Sequence, residues 1–146
     1  MNLLTAILCF GILVGRNAST DGYVYLGHNE DQFGEKMLNI YNVPANQERC
    51  AYLWFEFPGQ AAGDSYANEY GVAIASNQCN SREDRPYGGV VYEIRTAAIQ
   101  KARSAREAVR IIGSMVERYG YGDSGRSYLV ADQHEGWIVA LVRGKH

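Results

Sequence analysis

The sequence predicts an α+β fold built on antiparallel sheets. Three observations carry that prediction: short apolar segments cut by turn residues up to about residue 76, a change to helical spacing after Pro86–Gly89, and a return to strand-like segments near the end. Consecutive strands joined without an intervening helix pair antiparallel, so the order of strands, helix pair and strands argues against a parallel α/β sheet.

The elements follow in order. Phe10–Gly15, Tyr23–Gly27, Leu38–Val43, Tyr52–Phe57 and Gly71–Ser76 read as strands, separated by Gly, Asn, Asp and Pro. "TDG" between the first two reads as a hairpin turn, because Gly22 accepts the positive φ that such turns need. Val91–Lys101 is helix-like. A second helix starts at Ser104, where "SARE" has capping-box spacing: the Ser104 hydroxyl takes a free backbone N–H and Glu107 reaches back to the cap's own N–H. Ala105, Ala108, Val109, Ile112, Val116 and Tyr119 recur at spacings of three and four and share one face. Gly120 ends this helix as a left-handed cap. Ser127–Ala131 and Trp137–Val142 are strands joined by the hairpin "DQHEG". There is no internal repeat and no low-complexity linker.

Composition narrows the function classes. The chain has 146 residues, room for one domain; 47% are hydrophobic and 21% charged, values of a soluble globular protein. A formal net charge of −2 steers towards neither nucleic acid nor an anionic membrane. The apolar run Leu3–Val14 is shorter than the roughly 18 residues of a membrane span. It could serve as a signal-peptide core, but it lacks a basic start and a small-residue cleavage site. The compartment is left open, with the cytoplasm slightly favoured over export. Cys9, Cys50 and Cys79 form an odd set without C-x-x-C, and they do not cluster with His28, His134 or His146. Neither a metal nor another cofactor is expected, and disulfide use stays open.

Cys9 is the first chemical candidate. A lone cysteine in an apolar strand is by default a small buried hydrophobe. The alternative is that removal of "MNLLTAIL" makes Cys9 the first residue of a mature chain. Its thiol would then attack a carbonyl with its own α-amine as base. A free α-amine has a pKa of about 7.7–8.0 and a thiol about 8.5, so a good share of the amine can accept the proton at neutral pH. Asp31 is the second candidate: the hairpin returns the residues after Gly27 to the start of the first strand, where a carboxylate could hold the terminal ammonium. The default reading of Asp31 is a solvated loop acid. Third, "NEYGVAIASNQCNSRED" delivers the amides Asn77, Gln78 and Asn80 from an apolar strand. An amide N–H₂ is a neutral donor suited to an oxyanion, although polar residues leaving a strand are often plain turn formers. "GDSG" at 122–125 imitates a serine-protease nucleophile loop but lacks a histidine backed by an acid, so it reads as a loop.

The blocks "CFGILVGRNASTDG" with "NED", "DSYANEYGVAIAS" leading to "CNSRED", "ARSAREAV", "YGYGDSGRSYLVAD" and "WIVALVRGKH" together resemble the dipeptidase A cysteine peptidases. These are N-terminal nucleophile hydrolases, related to secernins and more distantly to bile-salt hydrolase and penicillin V acylase. The resemblance covers nearly all the chain from Cys9 onward. It implies an αββα sandwich, residues 1–8 as a leader removed to free Cys9, and residues 9–146 as the N-terminal part of one domain. It also implies hydrolysis of dipeptides, with Cys9 as nucleophile, Asp31 contacting its amine and Asn77 or Gln78 near the oxyanion, Asn77 preferred. The implied partners are small peptides, with no nucleic acid or membrane, and a homo-oligomer is left open. The chain departs from the pattern at His28, where relatives often carry arginine, and at Phe10 and Gly11, which replace small hydroxyl residues. Family members are longer, and the chain stops directly after an apolar strand, so a fragment lacking the C-terminal portion is expected, inactive or oligomeric by itself. Two alternatives stand beside the dipeptidase reading: an acylase on non-peptide amides such as bile-acid conjugates or β-lactam side chains, and a non-catalytic secernin-like module.

Overall fold

A computed structural model describes residues 9–30, 38–56, 58, 63, 65–79 and 88–142. The residues 1–8 expected as a leader, together with Asp31, Asn80 and "SRED", lie outside the described residues.

Strands β1 (Phe10–Val14) and β2 (Tyr25–Asn29) form a two-stranded antiparallel sheet. Strands β3 (Asn39–Val43), β4 (Tyr52–Glu56), β5 (Ser65–Asn68), β6 (Ala73–Gln78), β7 (Gly125–Ala131) and β8 (Gly136–Val142) make a six-stranded antiparallel sheet in chain order. Helices α1 (Glu93–Lys101) and α2 (Ala105–Tyr119) connect β6 to β7.

Alternation along the strands gives the large sheet two different faces. One face carries Tyr66, Ile74, Tyr128, Val130, Val139 and Leu141, which pack with Ile94, Ala98, Ile99, Ile112 and Val116 of the helices as the main core. The other face carries Ala75, Asn77, Leu129 and Ala131, and β1–β2 lies across it. A Cβ built on Gly11 would stand 2.8 Å from both Leu129 Cδ atoms, and one on Gly136 2.7 Å from a Cδ of Leu13. The layers are therefore helices, six-stranded sheet and two-stranded sheet. This is the expected α+β class and three layers of an N-terminal nucleophile hydrolase sandwich. The outer face of β1 exposes Phe10 (53%) and Ile12 (55%).

Local chemistry departs from the sequence reading in identifiable places. β2 starts at Tyr25 and not Tyr23, because "TDG" belongs to a longer loop, residues 15–24. Gly22 does take a positive φ of 75°, and the Asp21 carboxylate accepts from the Tyr23 N–H and the Tyr25 hydroxyl. The Tyr25 hydroxyl's bond to that carboxylate raises its pKa. β5 is absent from the sequence reading, since its four residues "SYAN" alternate between a small face and a buried Tyr66/Asn68 face without an apolar run. Ser104 caps α2 as expected, accepting from Glu107 N–H at 3.2 Å, but the Glu107 carboxylate accepts from Arg103 N–H and not from the cap's own. Tyr119, expected on the buried face, is 51% exposed at the fraying end of α2. Gly120 has the positive φ of 77°, but with ψ 174° the backbone is extended and not left-handed helical. That combination is almost confined to glycine.

Candidate functional site

Cys9 is half-buried and immediately precedes β1. Side chains two residues apart share a strand face, so Gly11 and Leu13 turn towards the large sheet, and the same parity carried one residue ahead of β1 assigns Cys9 to that side. In β1–β2, Phe10 pairs with Asn29 and Gly11 with His28. One further step of this register sets residue 30 opposite Cys9. His28 and Glu30 occupy the same inward face: the His28 Nε2 to Glu30 Oε2 distance is 3.6 Å, with side chains only 8% and 15% exposed. His28 Nδ1 lies 3.1 Å from Ser65 Oγ of β5. Glu30 is thus within ion-pair distance of a protonated His28, next to the start of β1.

Asn77 faces this strand from below. It is 8% exposed, and its Oδ1 lies 3.4 Å from the point a Gly11 Cβ would occupy. That oxygen takes no hydrogen bond from the described residues. Alternation turns Asn77 towards β1, whereas Gln78 follows Ile74 and Ser76 on the helix-facing side. Of the expected trio, Cys9 and Asn77 approach the same end of β1, while Asp31 lies outside the described residues.

Cys50 and Cys79 lie in different surroundings. Cys50 Sγ donates to the carbonyls of Ile99 and Gln100 at 3.1 Å, closing the C-terminal end of α1, and burial pushes its pKa up. Cys79 is exposed, its Sγ 3.4 Å from Ser127 Oγ, and no disulfide joins the described cysteines. In the "GDSG" stretch residues 122–124 form a loop and Gly125 opens β7, with the Asp123 carboxylate accepting from Ser124 N–H at 2.7 Å. His134 is fixed in the β7–β8 hairpin, where its N–H donates to Asp132, at the far end of β7 from Gly125. Among the described residues no group of His, Cys, Asp and Glu is arranged to hold a metal ion.

Sequence reasoning singled out His28 only as a departure and did not single out Glu30 or Ser65. The usable signal was the x-x alternation: His28 and Glu30 fall on the same strand face that the hairpin returns to Cys9.

A family model described as acyl-coenzyme A:6-aminopenicillanic acid acyl-transferase matches residues 17–146. Among curated proteins, a "Probable dipeptidase" of Latilactobacillus sakei is 25% identical over 171 residues, an alignment covering 94% of this chain. The chain spans about 36% of that relative's length.

Proposed function

The chain belongs to the acyl-coenzyme A:6-aminopenicillanic acid acyl-transferase family, and on that premise we propose that it is the nucleophile-bearing part of a dipeptidase. Cys9, freed as the first residue of the mature chain, is the nucleophile. Its α-amine takes the thiol proton as Sγ attacks the substrate's peptide carbonyl. Negative charge then gathers on the carbonyl oxygen, where the Asn77 Nδ2 hydrogens are suited to stabilise it. The protonated α-amine passes its proton to the leaving amine as the C–N bond breaks, which leaves an acyl thioester on Cys9. Water, deprotonated by the same amine, hydrolyses that thioester and restores the thiol. Asp31 is the acid proposed to hold the ammonium form.

The observation that supports this reading is at the head of β1: Asn77 Oδ1 lies 3.4 Å from the Cβ position of Gly11, two residues from Cys9. The name of the Latilactobacillus sakei relative supports peptides as the substrate. The family description favours a second reading, transfer or hydrolysis of a non-peptide amide by the same thiol and amine. Assays with dipeptides, penicillin V and a bile-salt conjugate rank the two. Cys9→Ser is expected to abolish dipeptide hydrolysis while Cys50→Ser preserves it. Equal activity in the two variants defeats the assignment.

A further inference from the structure

We propose that Arg95 and Arg126 are positioning residues that hold Asn77 in line with Cys9, acting through Ser76. The inference rests on the reading of Cys9 and Asn77 given above and adds to it the source of their alignment.

Among the described residues β5 pairs with β6 at Ile74 and Ala73, whereas β7 follows β6 from Ala73 through Gln78. An oxyanion donor tolerates little displacement, so whatever holds this end of β6 bears on the site.

The helix-facing side provides the anchor. Ser76 is fully buried, and its Oγ accepts from Arg95 Nη1 at 2.7 Å and from Arg126 Nη1 at 3.0 Å. Arg95 comes from α1 and is 1% exposed. Arg126 comes from β7, directly opposite Gln78, and is steadied by the Tyr121 hydroxyl at 3.2 Å from its Nε and by Asp123 at 4.0 Å. Burying a guanidinium costs several kcal/mol, and arginine cannot escape that cost by losing its proton. The convergence of two guanidinium groups on one hydroxyl gives Ser76 Oγ two charge-assisted bonds, which are short and directional. The result ties the end of β6 to α1 and to β7 at once. Asn77 is the next residue and projects through the opposite face, so any displacement of Ser76 moves its amide relative to Cys9.

The test compares Arg95→Met, Arg126→Met and Arg126→Lys with the parent. It measures dipeptide kcat and KM, and also the side-chain amide resonances of Asn77 and Asn68. Asn68 is the internal control, because its Nδ2 is bound to the carbonyls of Ile99 and Ala102 at 2.9 and 2.7 Å, away from Ser76. Removing a whole oxyanion donor costs about 10²–10³ in kcat, so misaligning one is expected to cost about tenfold. The Met variants should lose that factor in kcat with KM within about twofold. Their Asn77 resonances should shift or double while those of Asn68 stay. Arg126→Lys, which keeps a donor and a charge, should recover most of the loss. Unmoved Asn77 resonances in the folded Met variants overturn the proposal, whatever the turnover. A Cys9→Ser variant that still hydrolyses dipeptide removes instead the reading on which it rests.

Discussion

Gly11 is where the two sheets come closest, and replacing it tests that packing. A Cβ there would lie 2.8 Å from Cδ1 and from Cδ2 of Leu129. Carbon atoms rest at about 3.5–4.0 Å, so the overlap is roughly 1 Å with both methyls. Leu129 is only 6% exposed, so its methyls can give way only by pressing on their neighbours. Overpacking of this kind costs about 1–3 kcal/mol. For a domain of this size that is a fall in melting temperature of roughly 3–9 °C. Leu129→Ala alone leaves a cavity worth about 2–5 kcal/mol. In the double variant the new methyl enters the vacated space, so the two costs must not add. Thermal or denaturant unfolding of the four proteins should give a favourable coupling of at least about 1 kcal/mol. Additivity within about 0.5 kcal/mol, the behaviour of sites that do not touch, would refute the seating of β1 on β7.

Asp132 offers a pH test. Burial works against its charged form, but backbone N–H groups of Ala105, His134 and Glu135 outweigh burial and hold its pKa below the ordinary 3.8. A carboxylate depressed in the native state stabilises above its unfolded pKa, and that stability is lost as pH falls through the native value. Asp132→Ala should therefore cost about 2 kcal/mol at pH 7 and progressively less below pH 4, read from urea midpoints; an equal cost at pH 3 contradicts the assignment. Ser104→Ala removes the α2 cap and should cost about 1 kcal/mol in the same assay. Cys79, exposed, should react with a thiol reagent at pH 7 well before Cys50, whose pKa is raised by burial; mass-mapped labelling in the reverse order would contradict the described surroundings of Cys50.

The sequence was legible where local chemistry and tertiary packing agree. The α2 face as far as Val116, the Ser104 hydroxyl cap and the β7–β8 hairpin stand as read, because spacing, capping and turn residues point the same way. β5 was not legible: Ser65 and Ala67 are small and Asn68 is polar, and only the helix carbonyls that bind Asn68 make that position a buried one. At the candidate site, Asn77 was legible as the polar end of an apolar strand and Cys9 as the residue leading into one. Which face each belongs to depends on strand parity and on one sheet crossing another, which no local pattern records. His28 and Glu30 shared the parity of the returning strand, but a polar pair at a strand end looks the same as a turn until its partner strand is known. Ser76 and its two arginines are separated by 19 and 50 positions in sequence and meet only when α1 and β7 fold onto β6.

Treating the active preparation with an electrophilic dipeptide analogue, then measuring intact and peptide masses, tests the central claim most directly. The account predicts one adduct, on the sulfur of a Cys9 that begins the chain and carries a free α-amine. Turnover by protein that retains residues 1–8, or an adduct on Cys50 or Cys79 with Cys9 unmodified, would contradict it.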